Sequence, residues 1–253
     1  MYELQLVIPA YDERDNLKPL IEKVVAAAKE FKLDPLSFNL VMVENGSHDD
    51  SREVLKQIQS TPLGDWVTVV PIEVNQGYGY GLAQGMAHTD AKVIALTHAD
   101  LQTDPRDVFK GFMEIKQNPG KNLIVKGCRQ GRTFKKRMVS LLFEMITQVL
   151  LGEKFREVNA QPKVFTRRLA NLCHTPPKGF GFDLYLLYVA SLNGFKVIDI
   201  PVFFPPRLHG ESKSQGSFKA WLNTSFGFIR YAYQLSKLRG QLIEKEPQKA
   251  QSV

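Results

Sequence analysis

The sequence predicts an α/β fold in which a mostly parallel central sheet is covered by helices on both faces. Short apolar runs of strand length alternate with segments of helical spacing, and this alternation is typical of parallel sheets. Polar clusters follow several of the strand-like runs, where ligands bind in open sheets of this kind. No repeat or linker divides the chain, so we expect one domain at 1–239 and a polar, disordered tail at 240–253.

The individual elements follow from apolar periodicity and from turn signals at their ends. Most strand-like runs stop at a proline or at a polar cluster, and helical spacing resumes soon afterwards. We predict strands at 4–8, 38–43, 67–73, 93–96, 123–126, 164–165 and 195–200, and helices at 17–31, 52–58, 82–88, 108–116, 138–149, 182–192 and 218–238.

Composition and charge narrow the possible partners. The formal net charge of +7 indicates an anionic partner such as a nucleotide, a phospholipid surface or nucleic acid. The basic cluster at 126–137 contains one aromatic residue, Phe134, and lacks the series of interleaved aromatic residues that stack bases, so we expect no nucleic acid. The two cysteines, Cys128 and Cys173, have no metal-ligand or disulfide spacing.

The sequence also bears on location. The apolar segment 138–151 is too short to span a bilayer and contains Glu144. The chain opens directly on strand-like sequence, with no visible signal peptide. We therefore expect a cytoplasmic protein, attached to the cytoplasmic membrane face peripherally at most.

The strand at 93–96 ends in the polar run T-H-A-D-L-Q-T-D, which places His98, Asp100 and Gln102 at the edge of the sheet. Two oxygen ligands and an imidazole, spaced by two residues, could hold a divalent cation against a diphosphate. The alternative is a polar strand-to-helix loop in which Asp104 caps the next helix.

A glycine series, Gly77, Gly79, Gly81 and Gly85, follows the third predicted strand. Its spacing is not G-x-G-x-x-G, and it does not follow the first strand, so a nicotinamide site is disfavoured. Either the loop lets backbone approach a ligand, or it is a structural turn.

Segments in matching order along the chain resemble the motifs of family 2 glycosyltransferases. These are P-A-Y-D-E-R-D-N-L from Pro9, E-N-G-S-H-D-D-S from Glu44, the glycine-rich stretch from Asn75, A-D-L-Q from Ala99 and R-L-H-G-E-S-K from Arg207. The last is similar to a motif of the polyprenyl-phosphate mannose and glucose synthase branch. The resemblance implies a GT-A fold, a nucleotide-diphospho-sugar transferase fold, and inverting transfer of a hexose from a UDP- or GDP-sugar.

The resemblance also implies roles for individual residues. The nucleoside would lie against Pro9, Tyr11, Glu13, Glu44 and Asn45, with Gly77 and Ala99 beside the donor. Mn²⁺ or Mg²⁺ would face His98, Asp100 and Gln102, and Asp100 would take part in the chemistry. Arg207 and Lys213 would bind and stabilise the diphosphate, unless they belong to a solvated loop.

The sequence departs from the family pattern at two of these places. His98 stands where the family has the first Asp of D-x-D, and Glu44–Asn45 stands where it has an Asp pair. Loss of a carboxylate weakens a site for a hard cation, although histidine still ligates Mn²⁺. The sequence therefore leaves open whether the activity depends on a metal ion.

For the acceptor, the resemblance points to the basic segment after the fifth strand. In the polyprenyl-phosphate branch such residues hold a lipid phosphate, and here they are Arg129, Arg132, Lys136, Arg137 and Ser140. The aromatic final helix could lie along a bilayer. The alternative is a basic solvated face beside two helices that pack in the core.

The acceptor class decides whether a general base is needed. A lipid phosphate is already nucleophilic, whereas a hydroxyl acceptor requires a base. Asp183 is the best candidate base, although it could instead cap a helix, and the segment 159–163 matches the family poorly. Our main hypothesis is hexose transfer to polyprenyl phosphate or a similar glycolipid. The alternatives are transfer to a saccharide hydroxyl and a non-catalytic nucleotide-sugar-binding scaffold.

Overall fold

A computed structural model describes residues 1–131, 133–205 and 218–244, without the side chains of 134–136 and 218–225. It confirms the α/β prediction, since a seven-stranded sheet is flanked by helices. The strands are β1 (Leu4–Ala10), β2 (Phe38–Asn45), β3 (Val67–Ile72), β4 (Val93–Leu96), β5 (Leu123–Arg129), β6 (Lys163–Thr166) and β7 (Lys196–Val202). The helices are α1 (Arg14–Glu30), α2 (Ser51–Gln59), α3 (Tyr78–Ala87), α4 (Pro105–Lys116), α5 (Phe134–Leu151), α6 (Arg167–Leu172), α7 (Phe182–Leu192), α8 (Phe218–Lys237) and α9 (Arg239–Leu242).

The strand order is β3-β2-β1-β4-β6-β5-β7, and every pairing is parallel except those of β6. The carboxyl ends of the parallel strands therefore share one edge of the sheet, where polar loops follow β1, β2 and β4. Because β6 runs the other way, its first residue, Lys163, pairs with the last residue of β4, Leu96. The start of β6 thus lies at the same edge as the polar run after β4.

The core is divided by the sheet into two apolar layers. Along β1, Leu4, Leu6 and Ile8 point into the layer formed with α1, α2 and α4. The intervening Val7 belongs to the opposite layer, which includes α3, α6 and α7. This alternation follows from the period of two along a strand, and it explains why the strands are apolar on both faces.

Helix α3 begins at Tyr78, earlier than the predicted start at residue 82. Glycine has a low intrinsic helix propensity, so the prediction from local preference placed the start of this helix too late. The glycines instead allow close packing: a Cβ at Gly85 would lie 2.3 Å from Cγ1 of Val7. The helix therefore sits directly on the ends of β1 and β2.

The structure differs from the expected disorder at the beginning of the tail. Helix α9 covers part of it, and Leu242 is buried. The side chain of Asn193 holds this turn, donating to the Leu242 carbonyl and accepting from the Glu244 amide. Residues 245–253 lie outside the described part. Among the described helices, none is both long and apolar enough to cross a bilayer.

Candidate active site

The loops after β1 and β2 hold one another in place at the polar edge. The amide of His48 donates to the Asp12 carboxylate at 2.8 Å, and the Asp12 amide donates to Ser47 Oγ at 3.1 Å. Asp12 has a φ of 55°, in the left-handed region, which these reciprocal bonds offset. The result is a braced pair of loops at the sheet edge.

An aromatic pair lies on these two loops. Tyr11 Oη and His48 Nδ1 are 3.0 Å apart, and the rings meet edge to face. His48 is largely exposed, so the pair borders solvent. The sequence analysis did not select His48, although it lies within the segment quoted for the second family motif.

The carboxylate of Glu44 is directed into the protein. It accepts from Arg52 at 2.7 Å and from the Ser47 amide at 2.6 Å, and its side chain is only 1% exposed. Glu13 precedes α1 and accepts from Asn16 Nδ2 in the first turn of that helix at 2.6 Å. Glu44 therefore braces the loop that carries His48.

Three of the residues predicted for the donor meet where α3 begins. Asn45 is buried and donates to the carbonyl of Gly77 at 3.2 Å, while a Cβ at Gly81 would lie 3.1 Å from both Asn45 and Pro9. Gly77 has a φ of 112°, which favours glycine. Oδ1 of Asn45 has no hydrogen-bond partner among the described residues. Asn45 therefore holds the start of α3 against the ends of β1 and β2.

The polar run after β4 turns sharply behind Ala99, which is buried. Leu101 has a φ of 57°, and the Gln102 amide donates to Asp100 Oδ1 at 3.2 Å. Gln102 Nε2 donates to the carbonyl of Pro205 at 2.9 Å. The loop is therefore fastened to the segment that leaves β7.

His98 contacts Tyr78, the first residue of α3. Its Nε2 lies 3.2 Å from Tyr78 Oη, and the two rings meet edge to face. Coordination of a cation through Nε2 would compete with this contact. In the described part of the chain, no cluster of three His, Cys, Asp or Glu side chains has metal-binding geometry.

A buried polar network continues from Tyr78. Gln161 Nε2 donates to Tyr78 Oη at 3.2 Å and to Asp183 Oδ1 at 3.1 Å. Lys163 Nζ donates to the same Asp183 oxygen at 2.6 Å. Sequence reasoning gave Gln161 and Lys163 no role. The only indication in the sequence was that both residues lie in the segment 159–163, which matches the family motif poorly.

Burial dominates the electrostatics of this network. It raises the pKa of Tyr78 well above 10.0, and the carboxylates of Asp183 and Asp100 raise that pKa further. Burial lowers the pKa of Lys163 from 10.5, against the opposing effect of Asp183. Nearby cations, Lys126 and Arg129, lower the pKa of Lys163 in addition.

A second polar site lies beyond β5, in a cavity of about 260 Å³. It brings together three residues predicted for the acceptor: Arg129, Arg137 and Ser140. Arg156 and Glu157 also line it, and the sequence analysis missed both because they lie far along the chain from β5. The other lining residues are Cys128, Gln130, Gly131, Leu141 and Glu144.

The cavity connects to the β4 loop through two consecutive residues after β7. The guanidinium of Arg129 lies 5.6 Å from the ring centre of Phe204, and the next residue, Pro205, binds Gln102. Of the remaining predictions, Arg132, Arg207 and Lys213 lie outside the described residues, as does the side chain of Lys136.

An exposed apolar surface extends from this cavity along α5 and α8. The two helices pack together through Phe143 and Phe228, whose ring centres are 4.8 Å apart. Large apolar side chains face solvent on both helices: Met138, Leu141, Leu142, Met145 and Val149 on α5, and Phe226 and Tyr233 on α8. We call this set the α5–α8 surface. An apolar patch of this kind marks a contact with a partner or a membrane.

Comparison with known proteins agrees with this architecture. Residues 5–170 match the family described as "Glycosyl transferase family 2". The chain is 25% identical over 234 residues to the undecaprenyl-phosphate 4-deoxy-4-formamido-L-arabinose transferase of Enterobacter sp. strain 638, covering 90% of this chain and 67% of that protein. It is 24% identical to the dolichol-phosphate mannosyltransferase of Pyrococcus furiosus, covering 95% of this chain and 65% of that protein. The chain thus spans about two thirds of the length of these relatives.

Among solved structures, the fold is similar to that of glucosyl-3-phosphoglycerate synthase from Mycobacterium tuberculosis, in complex with Mn²⁺, UDP and glucosyl-3-phosphoglycerate. The TM-score is 0.63 at 17% identity, covering 97% of this chain and 82% of that one. This likeness supports the GT-A fold.

Proposed function

Because this chain belongs to glycosyl transferase family 2, we propose that it is an inverting hexosyltransferase that uses a UDP- or GDP-hexose and a polyprenyl phosphate acceptor. The observation that carries the proposal is the arginine-lined cavity joined to the β4 loop through Phe204 and Pro205. It provides an anion site beside the sheet edge where ligands bind in folds of this kind.

The donor nucleoside would lie at the ends of β1 and β2. Tyr11 and His48 offer aromatic surface there, and Asn45 fixes the start of α3 beside them. Pro9, Gly77 and Ala99 would complete the wall, with Glu13 and Glu44 bracing the loops from behind. UDP in the complex of the M. tuberculosis enzyme is consistent with a nucleoside diphosphate here.

A divalent cation fits this site only when the donor diphosphate is bound as well. Asp100 supplies one carboxylate at the end of β4, with His98 and Gln102 beside it. Mg²⁺ is usually bound through one or two carboxylates plus substrate phosphates, so this ligand set suffices once a diphosphate is present. The cation would stabilise the charge of the leaving diphosphate, as would Arg207 and Lys213 if they reach it.

In the proposed reaction, an anionic oxygen of the acceptor phosphate forms the new bond to the anomeric carbon. The bond from that carbon to the donor diphosphate breaks, and the diphosphate leaves with the bonding electrons. No proton has to be removed from the acceptor. Arg129, Arg137 and Arg156 would hold the acceptor phosphate, together with Ser140 and with Arg132 and Lys136.

The α5–α8 surface supports a lipid acceptor over a soluble one. Its apolar side chains lie on the helix that also carries Arg137 and Ser140, so a chain attached to a phosphate in the cavity could follow the surface. The relatives named above act on undecaprenyl phosphate and dolichol phosphate by name. We propose peripheral contact with a membrane through this surface.

The state of Asp183 weighs against a hydroxyl acceptor. Its carboxylate is buried and ion-paired with Lys163, whereas a general base must reach the acceptor hydroxyl. We assign Asp183 a positioning role, because it orders Gln161 and, through Gln161, Tyr78.

Transfer of labelled hexose from UDP- and GDP-hexoses tests the proposal directly. Farnesyl phosphate represents the lipid phosphate, 3-phosphoglycerate a soluble phosphorylated hydroxyl acceptor, and a disaccharide an uncharged one. We expect product with farnesyl phosphate and one nucleotide only. Product with a hydroxyl acceptor alone would overturn the acceptor assignment, and absence of nucleotide-sugar turnover would favour the scaffold.

A further inference from the structure

The cavity beyond β5 already contains an anion supplied by the protein. Arg129 Nε donates to Glu157 Oε2, and both side chains are largely shielded from solvent. Partial burial strengthens such a pair relative to an exposed one. A phosphate that is to bind Arg129 must therefore compete with Glu157.

The backbone at Glu157 is held in an uncommon conformation. Its φ is 47°, a left-handed value that non-glycine residues rarely adopt. The buried side chains of Phe155 and Val158 fix the segment on either side, and the Ala160 amide donates to the Glu157 carbonyl at 2.9 Å. Strained residues of this kind cluster at ligand clamps.

Among the described residues that line the cavity, carboxylates of the protein itself partly neutralise the arginines while Glu157 stays in place. Arg129, Arg137 and Arg156 face Glu144 and Glu157 among the described lining residues, which leaves a small positive excess. A phosphate monoester carries about −1.5 to −2 charges at neutral pH. Displacing Glu157 would free Arg129 for such a ligand, and the gain would be larger for a doubly charged anion than for a singly charged one.

We infer that Glu157 is an intramolecular competitor that occupies Arg129 until a phosphate monoester dianion displaces it. It is a specificity-determining residue, because a singly charged anion gains less from the arginines and displaces it poorly. The acceptor it selects is the terminal phosphate of a monoester, in preference to a phosphodiester. This inference rests on the proposed acceptor site.

The test compares the full chain with Glu157→Gln by titration calorimetry, with farnesyl phosphate and its methyl ester as ligands. We expect Glu157→Gln to bind the monoester about tenfold more tightly than the unchanged chain does, within the range usual for coupled binding events. The ratio of its affinities for the monoester and the diester should be smaller than that of the unchanged chain. Glu153→Gln is the matched control, since it makes the same charge change on the same segment outside the cavity lining. Glu157→Gly, which tolerates the left-handed φ, should behave like Glu157→Gln and guards against misfolding.

Three outcomes separate this inference from the proposed function. Unchanged or weaker binding by Glu157→Gln, with loss of binding in Arg156→Ala, overturns the role of Glu157 and leaves the acceptor site standing. Absence of monoester binding in all proteins overturns both. If Glu153→Gln binds the monoester more tightly to the same extent, the effect arises from net charge alone, and the role of Glu157 is again overturned. Glycerol phosphate, a soluble monoester, should show the same gain in Glu157→Gln, and a gain confined to farnesyl phosphate would overturn the assignment of the selection to the phosphate group.

Discussion

Lys163 and Asp183 form an ion pair of 2.6 Å in the interior of the protein, at the point where antiparallel β6 meets α7. Both side chains are at most 4% exposed. Breaking a buried pair by removing one partner leaves an unpaired charge, which is far more costly than losing both. This pair, with Gln161, connects the polar edge of the sheet to the helix behind it.

We expect Asp183→Asn to lower the free energy of unfolding by about 3–5 kcal/mol. Adding Lys163→Met should recover part of that loss, so that the two changes are not additive. Urea unfolding of both single variants and the double variant measures the coupling. Glu3→Gln, which breaks the exposed pair of Lys116 and Glu3, should cost much less. Strict additivity of the first two changes would contradict the buried pair.

The same variants separate positioning from base catalysis. The amide oxygen of asparagine can still accept from Gln161 Nε2, so a positioning role predicts that the double variant regains transferase activity in proportion to the recovered folded fraction. If Asp183 is a base, activity should stay lost even when stability returns. The ratio of activity to folded protein is the quantity to compare.

Tyr78 predicts how stability depends on alkaline pH. Its pKa is raised above 10.0 in the folded protein, so the unfolded state loses its proton first as the pH rises. The unfolded state then binds fewer protons, and stability falls above about pH 10 by at most about 1.4 kcal/mol per pH unit for one group. Tyr78→Phe should flatten this fall in urea unfolding measured between about pH 9 and about pH 11. Tyr185, Tyr188 and Tyr231, whose pKa values are also raised by burial, account for a remaining slope. An unchanged slope would show that the pKa of Tyr78 is not raised in the folded protein.

The cation proposal is tested at Asp100. A nucleoside diphosphate at about a hundred times its dissociation constant should stabilise the fold by about 2.7 kcal/mol. We expect Asp100→Asn to abolish the part of this shift that Mn²⁺ or Mg²⁺ adds and that chelator removes. Asp104→Asn is the control, because asparagine still caps α4 as Asp104 does. A shift in wild type that is indifferent to chelator would reject the metal while retaining the nucleotide.

Local pattern accounts for most of the fold and for part of the site. The runs of β1, β2 and β4 were recognisable because strands buried on both faces are short continuous apolar stretches, and α1 because its buried face recurs every 3.6 residues. The pairing of β6 was not recognisable from local pattern, because its antiparallel position between β4 and β5 depends on contacts between residues far apart in the sequence. The roles of Gln161, Lys163, Arg156 and Glu157 follow from that pairing and were missed with it.

Motif resemblance selected the loops proposed for the donor but did not give the direction of every side chain. Glu44 lies in the predicted segment, yet Arg52, eight residues later, draws its carboxylate inward. His48 was passed over although it faces Tyr11. A one-dimensional motif specifies which residues surround a site, whereas ion pairs with neighbouring elements decide which of them face the ligand.

Membrane contact is tested on the α5–α8 surface. Met145 and Val149 lie one helical turn apart and are 65% and 83% exposed, so burying them in the headgroup region would remove apolar area from water at about 25 cal/mol per Å². We expect the protein to sediment with anionic vesicles, and Met145→Glu with Val149→Glu to lower the bound fraction about tenfold or more, since each change also adds a charge repelled by the lipid. Leu36→Glu, at an equally exposed leucine remote from this surface, should leave vesicle binding nearly unchanged. An equal loss of vesicle binding in Leu36→Glu would show that the effect arises from net charge alone. Vesicle binding that survives Met145→Glu with Val149→Glu would move the membrane contact away from α5, and the acceptor chain with it.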